Sequence, residues 1–201
     1  TTGMELLQAM LQAGGNPNLQ LKLQPTYRHI KDDRGPDSIL NIGATPLLRA
    51  AKAADVPAIQ LLLQYGAHID LPNRNGTTPV MAAAGLGSSA IDTRGDYATP
   101  LASQNAKAAL EVLVANGGDV NARDSNGRTA LHGAAGWGWN DAVAYLAAQG
   151  ADLLAADNGG STPLDAALGK ISSSGRGGSG EVRKETAELI QSLLLNQQAR
   201  L

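Results

Sequence analysis

The apolar positions of this chain fall into short segments with helical spacing, and each segment ends at a glycine. The clearest pair begins with an Ala-rich stretch over residues 47–53. A second helix follows, opened by Pro57 and carrying the inward-facing residues Ile59, Leu61, Leu62 and Leu63. Gly66 then ends this helix in a left-handed conformation that only glycine adopts cheaply. The pattern predicts a helix, a turn and a second helix.

The same unit recurs along the chain. In each copy a Thr-Pro-Leu triplet or a close variant, typical of a helix N-terminus, stands two residues after a glycine. These glycines are Gly43, Gly76, Gly127 and Gly160, separated by 33, 51 and 33 residues. Asn-Gly dipeptides between the units, which favour tight turns with positive φ, are Asn75-Gly76, Asn126-Gly127 and Asn158-Gly159. The first glycines of the Gly-containing segments that end the units, Gly14, Gly66, Gly117 and Gly150, lie 52, 51 and 33 residues apart. The period is therefore 33 residues, with insertions of about 18–19 residues in two places.

Residues 129–135, with the sequence Thr-Ala-Leu-His-Gly-Ala-Ala, and the Gly-Asp-Val-Asn-Ala segment over residues 118–122 carry a resemblance to a known family. The chain resembles the ankyrin-repeat family from Met4 to about Asn196. This resemblance implies an all-α ankyrin-repeat solenoid of helix-turn-helix units joined by hairpin fingers, with about four full repeats preceded by a partial one. It also implies that His132 hydrogen-bonds neighbouring turns, a structural role.

We expect residues 1–201 to form a single ankyrin-repeat domain. Its predicted parts are a partial repeat over 1–18, a long finger over 19–41, and repeats over 43–75, 76–126, 127–159 and 160–198. The second repeat has an insert near 85–101, after which its second helix covers 105–116. The last repeat has a Gly/Ser-rich insert near 172–180, followed by a helix over 181–198. The long finger is either a solvated extension or a segment that contacts a partner.

Composition and charge argue against several functions. A net charge of -2 supplies no basic field for nucleic acid, and the absence of cysteine excludes disulfides, thiolate zinc sites and a Cys nucleophile. No two histidines have the spacing of a zinc-binding helix, and no apolar run reaches the length of a membrane span. Residues 175–180 match a dinucleotide-binding glycine pattern, but no strand precedes them. We expect no enzymatic activity and no cofactor.

Repeat stacks present a rigid curved surface, so the first functional hypothesis is a module that binds a partner protein. By alignment with the family, the expected contact residues lie on hairpin tips and on the concave face of the inner helices. They are Arg49, Lys52, Arg74, Asn75, Arg123, Asp124, Ser125, Arg128, Trp137, Asp157 and Asn158. For Trp137 and Trp139 the alternative is that the ring covers the insert of repeat two and fills a gap.

A second hypothesis is a structural subunit or domain docked permanently in a larger assembly through the apolar face of residues 4–11, which carries Leu6, Leu7, Met10 and Leu11. The chain is then a subunit of a hetero-complex, whereas a free binding module is a monomer. We expect a soluble protein with no visible targeting segment. Because the first residue is Thr1, we expect the chain to be processed or excerpted, which leaves its compartment open.

Overall fold

The computed structural model describes residues 2–23, 39–88, 99–170 and 182–199, and within these ranges the regular secondary structure is entirely helical. The helices are α1 (Gly3–Gln12), α2 (Pro46–Lys52), α3 (Val56–Gln64), α4 (Pro79–Ala83), α5 (Pro100–Ala115), α6 (Ala130–Trp137), α7 (Asn140–Ala148), α8 (Pro163–Ala167) and α9 (Lys184–Gln198). The prediction of an all-α chain is confirmed for the described residues.

Threonine caps start the short helices. The hydroxyl oxygens of Thr45, Thr78 and Thr162 each accept a hydrogen bond from the backbone N–H three residues on, and a proline follows each threonine at the first helical position. Thr162 also donates from its backbone and its hydroxyl to the carboxylate of Asp165, and these bonds hold the pKa of Asp165 below its usual value. The Thr-Pro signal therefore marks true helix starts.

The helices pack in two parallel rows. An inner row contains α2, α4, α6 and α8, each in contact with the next, and an outer row contains α3, α5, α7 and α9. Each inner helix also packs against the outer helix that follows it in the chain. Between the rows lies one core of fully buried side chains, which include Leu48, Ile59, Leu62, Leu113 and Leu146. Each two-helix layer therefore buries the next.

Three local predictions need correction. The second helix of repeat two begins at Pro100 and not at residue 105, because Thr99 accepts from the N–H of Ala102 and caps an additional turn. In the last hairpin the residue with positive φ is Gly160 (φ 81°) and not Gly159. The residues predicted to face inward on α3 also differ in burial: Ile59 and Leu62 are buried, whereas Leu61 and Leu63 are only half-buried.

Several predicted segments fall outside the described residues. They are the middle of the long finger (24–38), most of the insert in repeat two (89–98) and the Gly/Ser-rich linker (171–181). The predicted start of the last helix, residue 181, is also outside the described ranges, and α9 begins at Lys184. The hypotheses about finger, insert and linker stay predictions.

Successive repeats are joined beyond the ends of the outer helices by asparagine side chains. Asn18 donates from Nδ2 to the carbonyl oxygen of Gly66 (2.9 Å) and accepts at Oδ1 from the N–H of His68 (2.7 Å). Asn121 makes the same two bonds to the following repeat, at 2.9 and 2.8 Å. Asp70 occupies the equivalent position between these two asparagines. Its carboxylate accepts from the next repeat at 3.2 Å but has no N–H to donate.

We expect Asp70→Asn to stabilise the chain by about 0.5–1.5 kcal/mol, the net value of one hydrogen bond. The new amide can donate to the carbonyl oxygen of Gly117, which corresponds to the acceptors of Asn18 and Asn121. Urea unfolding followed by circular dichroism measures the change. Asp70→Ala is the matched control, because it removes the acceptor and adds no donor, and it should lower stability. An Asp70→Asn protein less stable than the wild type would contradict the prediction.

Candidate protein-binding surface

The tips of the three hairpins between repeats share one backbone conformation. Asn73, Asp124 and Asp157 begin these turns, and Oδ1 of each accepts from the N–H groups two and four residues further on at 2.8–2.9 Å. Three residues after each of them comes a glycine with φ of 75–81°. The spacing of Asn or Asp three residues before glycine is visible in the sequence, and it was the available signal for these turns.

Hydrogen bonds also connect each hairpin to the next. In each bond, the backbone N–H of a residue at one tip donates to a carbonyl oxygen of the preceding tip. The pairs are Arg74 to Ile42 at 2.7 Å, Ser125 to Asn75 at 2.9 Å and Asn158 to Asn126 at 2.9 Å. The tips therefore form a continuous row, whose members are held in register by their own backbone.

The predicted hairpin residues differ in accessibility. Exposed ones are Arg74, Arg123, Ser125 and Asn158, and half-buried ones are Asn75 and Asp157. Although Arg123 is exposed, its guanidinium donates to the carbonyl oxygens of Gly127 (3.1 Å) and Ala156 (2.7 Å), so it also ties two hairpins together.

Asp124 and Arg128 are buried, which corrects their prediction as surface contacts. The Arg128 guanidinium donates to Oδ2 of Asp124 from Nε (3.1 Å) and Nη2 (2.8 Å). Oδ1 of the same carboxylate accepts the two backbone N–H groups of its turn. Both carboxylate oxygens of Asp124 therefore accept hydrogen bonds from within its own hairpin, and the buried Asp124–Arg128 pair stabilises the conformation of that hairpin.

The concave face is also less available than predicted. Arg49 on α2 is exposed, but Lys52 at the end of the same helix is only 6% exposed, which corrects its prediction as a contact residue. Every residue of α4 and of α6 is buried as well. The inner helices of repeats two and three therefore offer no exposed side chain for recognition.

Trp137 and Trp139 are part of the core, so the prediction of Trp137 as a partner contact is corrected. Trp137 is 3% exposed, its indole N–H donates to the carbonyl oxygen of Gly85 (2.9 Å), and the two rings stack with centroids 6.2 Å apart. Gly85 lies where the insert of repeat two begins, and an added Cβ there would meet both rings. The rings thus pack against Gly85 at the described start of the insert, and the alternative interpretation, in which a ring covers the insert and fills a gap, stays a prediction.

His132 joins repeats three and four. Its Nδ1 accepts from the N–H of Thr129 (3.1 Å), and its Nε2 lies 3.0 Å from the carbonyl oxygen of Ser161. These partners assign the neutral ring with the proton on Nε2. Burial lowers the pKa of His132 from its usual value of 6.5, although the hydrogen bond to Ser161 opposes that shift. The structural role implied by the family resemblance agrees with this geometry.

We expect the free energy of unfolding to decrease in mild acid, because the pKa of His132 is lower in the folded chain than in the unfolded chain. Because the folded state has the lower pKa, the unfolded chain binds more protons below pH 6.5, so this contribution is complete above that pH and is lost as the pH decreases toward the folded pKa. His132→Gln is the control, since glutamine at this position retains the cap with Thr129 and does not titrate. Urea unfolding between pH 7.5 and 5 should show a steeper loss for the wild type, and parallel curves would argue against the assignment.

Comparison with known families identifies the repeat. A family model described as ankyrin repeats (3 copies) matches residues 101–174, and one described as ankyrin repeats (many copies) matches residues 47–91. Together the matched ranges cover more than half of the chain. The two-row solenoid is thus an ankyrin-repeat domain, and the chain belongs to the ankyrin-repeat family. Ankyrin repeats are generally protein–protein interaction modules and are typically non-catalytic.

Two further observations concern only the described part of the chain. None of its helices is long and apolar enough to cross a membrane. In the same ranges, no three His, Asp or Glu side chains come together in a group that could hold a metal ion.

Proposed function

We propose that this chain is a non-catalytic module that binds a partner protein through its row of hairpin tips. The contact residues in this proposal are the exposed Arg74, Arg123, Ser125 and Asn158, together with the half-buried Asn75 and Asp157. Arg49 extends the surface onto the end of the inner row. Lys52, Asp124, Arg128 and Trp137 are left out, because their side chains are buried.

The observation that carries the proposal is the hydrogen-bonded row of tips. Each tip is fixed by its Asn or Asp cap and by a backbone bond to its neighbour. A partner that binds such a surface does not have to order the loops, so less free energy is lost on binding than with mobile loops. Mixed polar and charged side chains project from this rigid base and suit recognition by a protein surface of complementary charge.

The test compares two charge-matched double variants of the full chain. Ser125→Arg/Asn158→Arg adds two positive charges to adjacent tips. Gln60→Arg/Ala144→Arg adds the same charge at exposed, equivalent positions of the outer helices α3 and α7. Each protein is immobilised, incubated with native lysate, and its retained proteins are quantified by mass spectrometry. We expect specific partners that the wild type and the outer-helix variant retain and that the tip variant loses.

Equal retention by both double variants would refute binding through the tips. Circular dichroism must show that both variants are folded at the assay temperature, and the tip variant should melt slightly lower because Asn158→Arg removes the hydrogen bond from Nδ2 of Asn158 to the carbonyl oxygen of Ser125 (3.1 Å). Partners that the outer-helix variant alone loses would move the surface to the convex side.

One observation favours the second candidate, a permanently docked subunit. Of the large apolar side chains exposed in the described residues, Leu6, Met10, Leu19, Leu21 and Leu23 all lie at the N-terminal end of the stack. Sedimentation velocity separates the candidates. A free module sediments as a monomer, whereas a subunit removed from its assembly aggregates in a concentration-dependent manner.

A further inference from the structure

Two arginines on neighbouring hairpins carry charges that no carboxylate neutralises. Arg74 and Arg123 are both exposed, and within the described ranges neither guanidinium forms an ion pair. Arg128 differs from them, because its guanidinium is buried against the carboxylate of Asp124. Two unneutralised positive charges are therefore presented to solvent beside the row of tips.

The hairpins that carry these arginines are bonded to each other. The backbone N–H of Ser125 donates to the carbonyl oxygen of Asn75 at 2.9 Å. Asn75 directly follows Arg74, and Ser125 comes two residues after Arg123. A segment of another protein that lies across these two hairpins can reach both guanidiniums, and on its way it passes the small, exposed side chain of Ser125.

Arg123 is held in position by its own hairpin and the next. Its Nη1 donates to the carbonyl oxygens of Gly127 (3.1 Å) and Ala156 (2.7 Å), and its Nε and Nη2 have no partner among the described residues. A guanidinium fixed in this way loses little rotamer freedom when it receives another acceptor. A carboxylate is the protein acceptor that matches the planar N–H groups of arginine.

The second of these tips already uses its carboxylate, whereas two of its neutral polar side chains are open. Both oxygens of Asp124 accept hydrogen bonds from within the hairpin. The hydroxyl of Ser125 and the side-chain amide of Asn126 are exposed and have no hydrogen-bond partner in the described part of the chain. Both groups can donate to acceptors brought by a partner, as the two guanidiniums can.

Charge is also unevenly distributed between the tips and the bases of the hairpins. At the tips there are three arginines and two aspartates, namely Arg74, Arg123, Arg128, Asp124 and Asp157. The bases, which follow the outer helices over residues 66–71, 117–122 and 150–155, contain no lysine or arginine, and their charged residues are Asp70, Asp119 and Asp152. The chain has a net charge of -2, so this separation directs an acidic partner to the tips and away from the bases.

A protein segment suits this surface better than a nucleic acid does. Nucleic acids are bound through many phosphate contacts in a basic field, which a chain with a net charge of -2 does not supply. Carboxylates at two points of a short segment are enough to engage Arg74 and Arg123.

We propose that the hairpins over residues 73–76 and 123–128 bind an acidic segment of the partner protein, whose carboxylates pair with Arg74 and Arg123. The proposal rests on the proposed function, because it states the chemistry of the partner that the row of tips recognises. It also agrees with the expected result of the capture experiment. Both double variants add the same charge, but only the tip variant places a bulky side chain at Ser125, on the path between the two guanidiniums.

The probe is a short fluorescein-labelled peptide in which glutamate alternates with serine. It is titrated against the full chain by fluorescence anisotropy, and its unlabelled form is titrated against isotope-labelled chain by NMR. We expect saturable binding that weakens as salt is added, with shifts of the Nε–H signals of Arg74 and Arg123. The matched peptides in which glutamine or lysine replaces every glutamate should not bind.

Two charge-reversed variants locate the binding. Arg74→Glu should weaken binding of the glutamate peptide at least about tenfold, because it replaces an attractive charge by a repulsive one. Lys184→Glu makes the same change of charge at an exposed position of α9, and it should change the affinity less than about twofold at physiological salt. Both variants should melt close to the wild-type temperature, since each replaces an exposed side chain. Arg123 is left unchanged, because its side chain also joins two hairpins.

Three results would overturn the proposal. They are no saturable binding of the glutamate peptide, equal weakening by Arg74→Glu and Lys184→Glu, and binding of an oligothymidylate as tight as that of the peptide, which would assign the tips to phosphate chains. Loss of partners in the tip variant together with no binding of the glutamate peptide would leave the proposed function standing and refute only the acidic segment.

Discussion

Leu113→Ala is expected to lower the free energy of unfolding by about 2–5 kcal/mol, the range for a buried leucine cut back to alanine. Leu113 lies in α5, in the middle of the outer row, and its side chain is fully buried in the single core. Because α5 packs against α3, α4 and α7, the cavity left by the substitution should destabilise the neighbouring repeats as well as the repeat that contains it. Urea unfolding monitored by far-UV circular dichroism measures the loss.

Leu101→Ala provides the matched control for this change. It removes the same atoms from the same helix, but Leu101 is 63% exposed, so we expect a change within about 0.5 kcal/mol. Leu62→Ala, at the corresponding position of α3, should behave like Leu113→Ala. Equal losses in the free energy of unfolding for Leu101→Ala and Leu113→Ala would contradict the assignment of buried and exposed faces on the outer helices.

Gly85→Ala is expected to cost about 2–5 kcal/mol for two separate reasons. Gly85 has φ of 79°, a left-handed conformation that costs an alanine about 1–2 kcal/mol. An added Cβ would also lie 2.7 Å from Cδ1 of Trp137 and 2.8 Å from the ring of Trp139, and both rings are buried in the core. Overpacking of this kind adds about 1–3 kcal/mol.

Gly150→Ala isolates the backbone part of that cost. Gly150 has φ of 86°, and an added Cβ there meets nothing within 4 Å. We expect it to lose only about 1–2 kcal/mol and to keep the near-UV circular dichroism of the stacked indoles, whereas Gly85→Ala should change that signal. Equal losses for the two glycines would show that the tryptophan pair does not constrain Gly85.

The helical units were predictable because their signals are local. Thr45 followed by Pro46 carries a cap and a fixed φ within two residues, and Gly66 terminates a helix whatever it packs against. The error at α5 had a local cause as well, since Thr99 and Pro100 carry that same signal inside the insert. The helical spacing of apolar residues also predicted which faces of the helices point to the core, although Leu61 and Leu63 are only half-buried.

The candidate surface was less predictable, because exposure depends on residues distant in sequence. Arg74, Ser125 and Asn158 are exposed as alignment predicted, but Lys52 and Trp137 are not. Trp137 is covered through Gly85, which lies 52 residues earlier in the chain. No periodicity within one repeat reports on such a contact.

The amino-acid sequence by itself determined the repeat, the two-helix unit and the capped turns, because each depends on the conformational preferences of neighbouring residues. The tertiary structure alone decided which polar side chains reach the surface. Stacking brings together residues one repeat or more apart, as it does Gly85 and Trp137, so the exposure of a side chain depends on neighbours outside its own repeat.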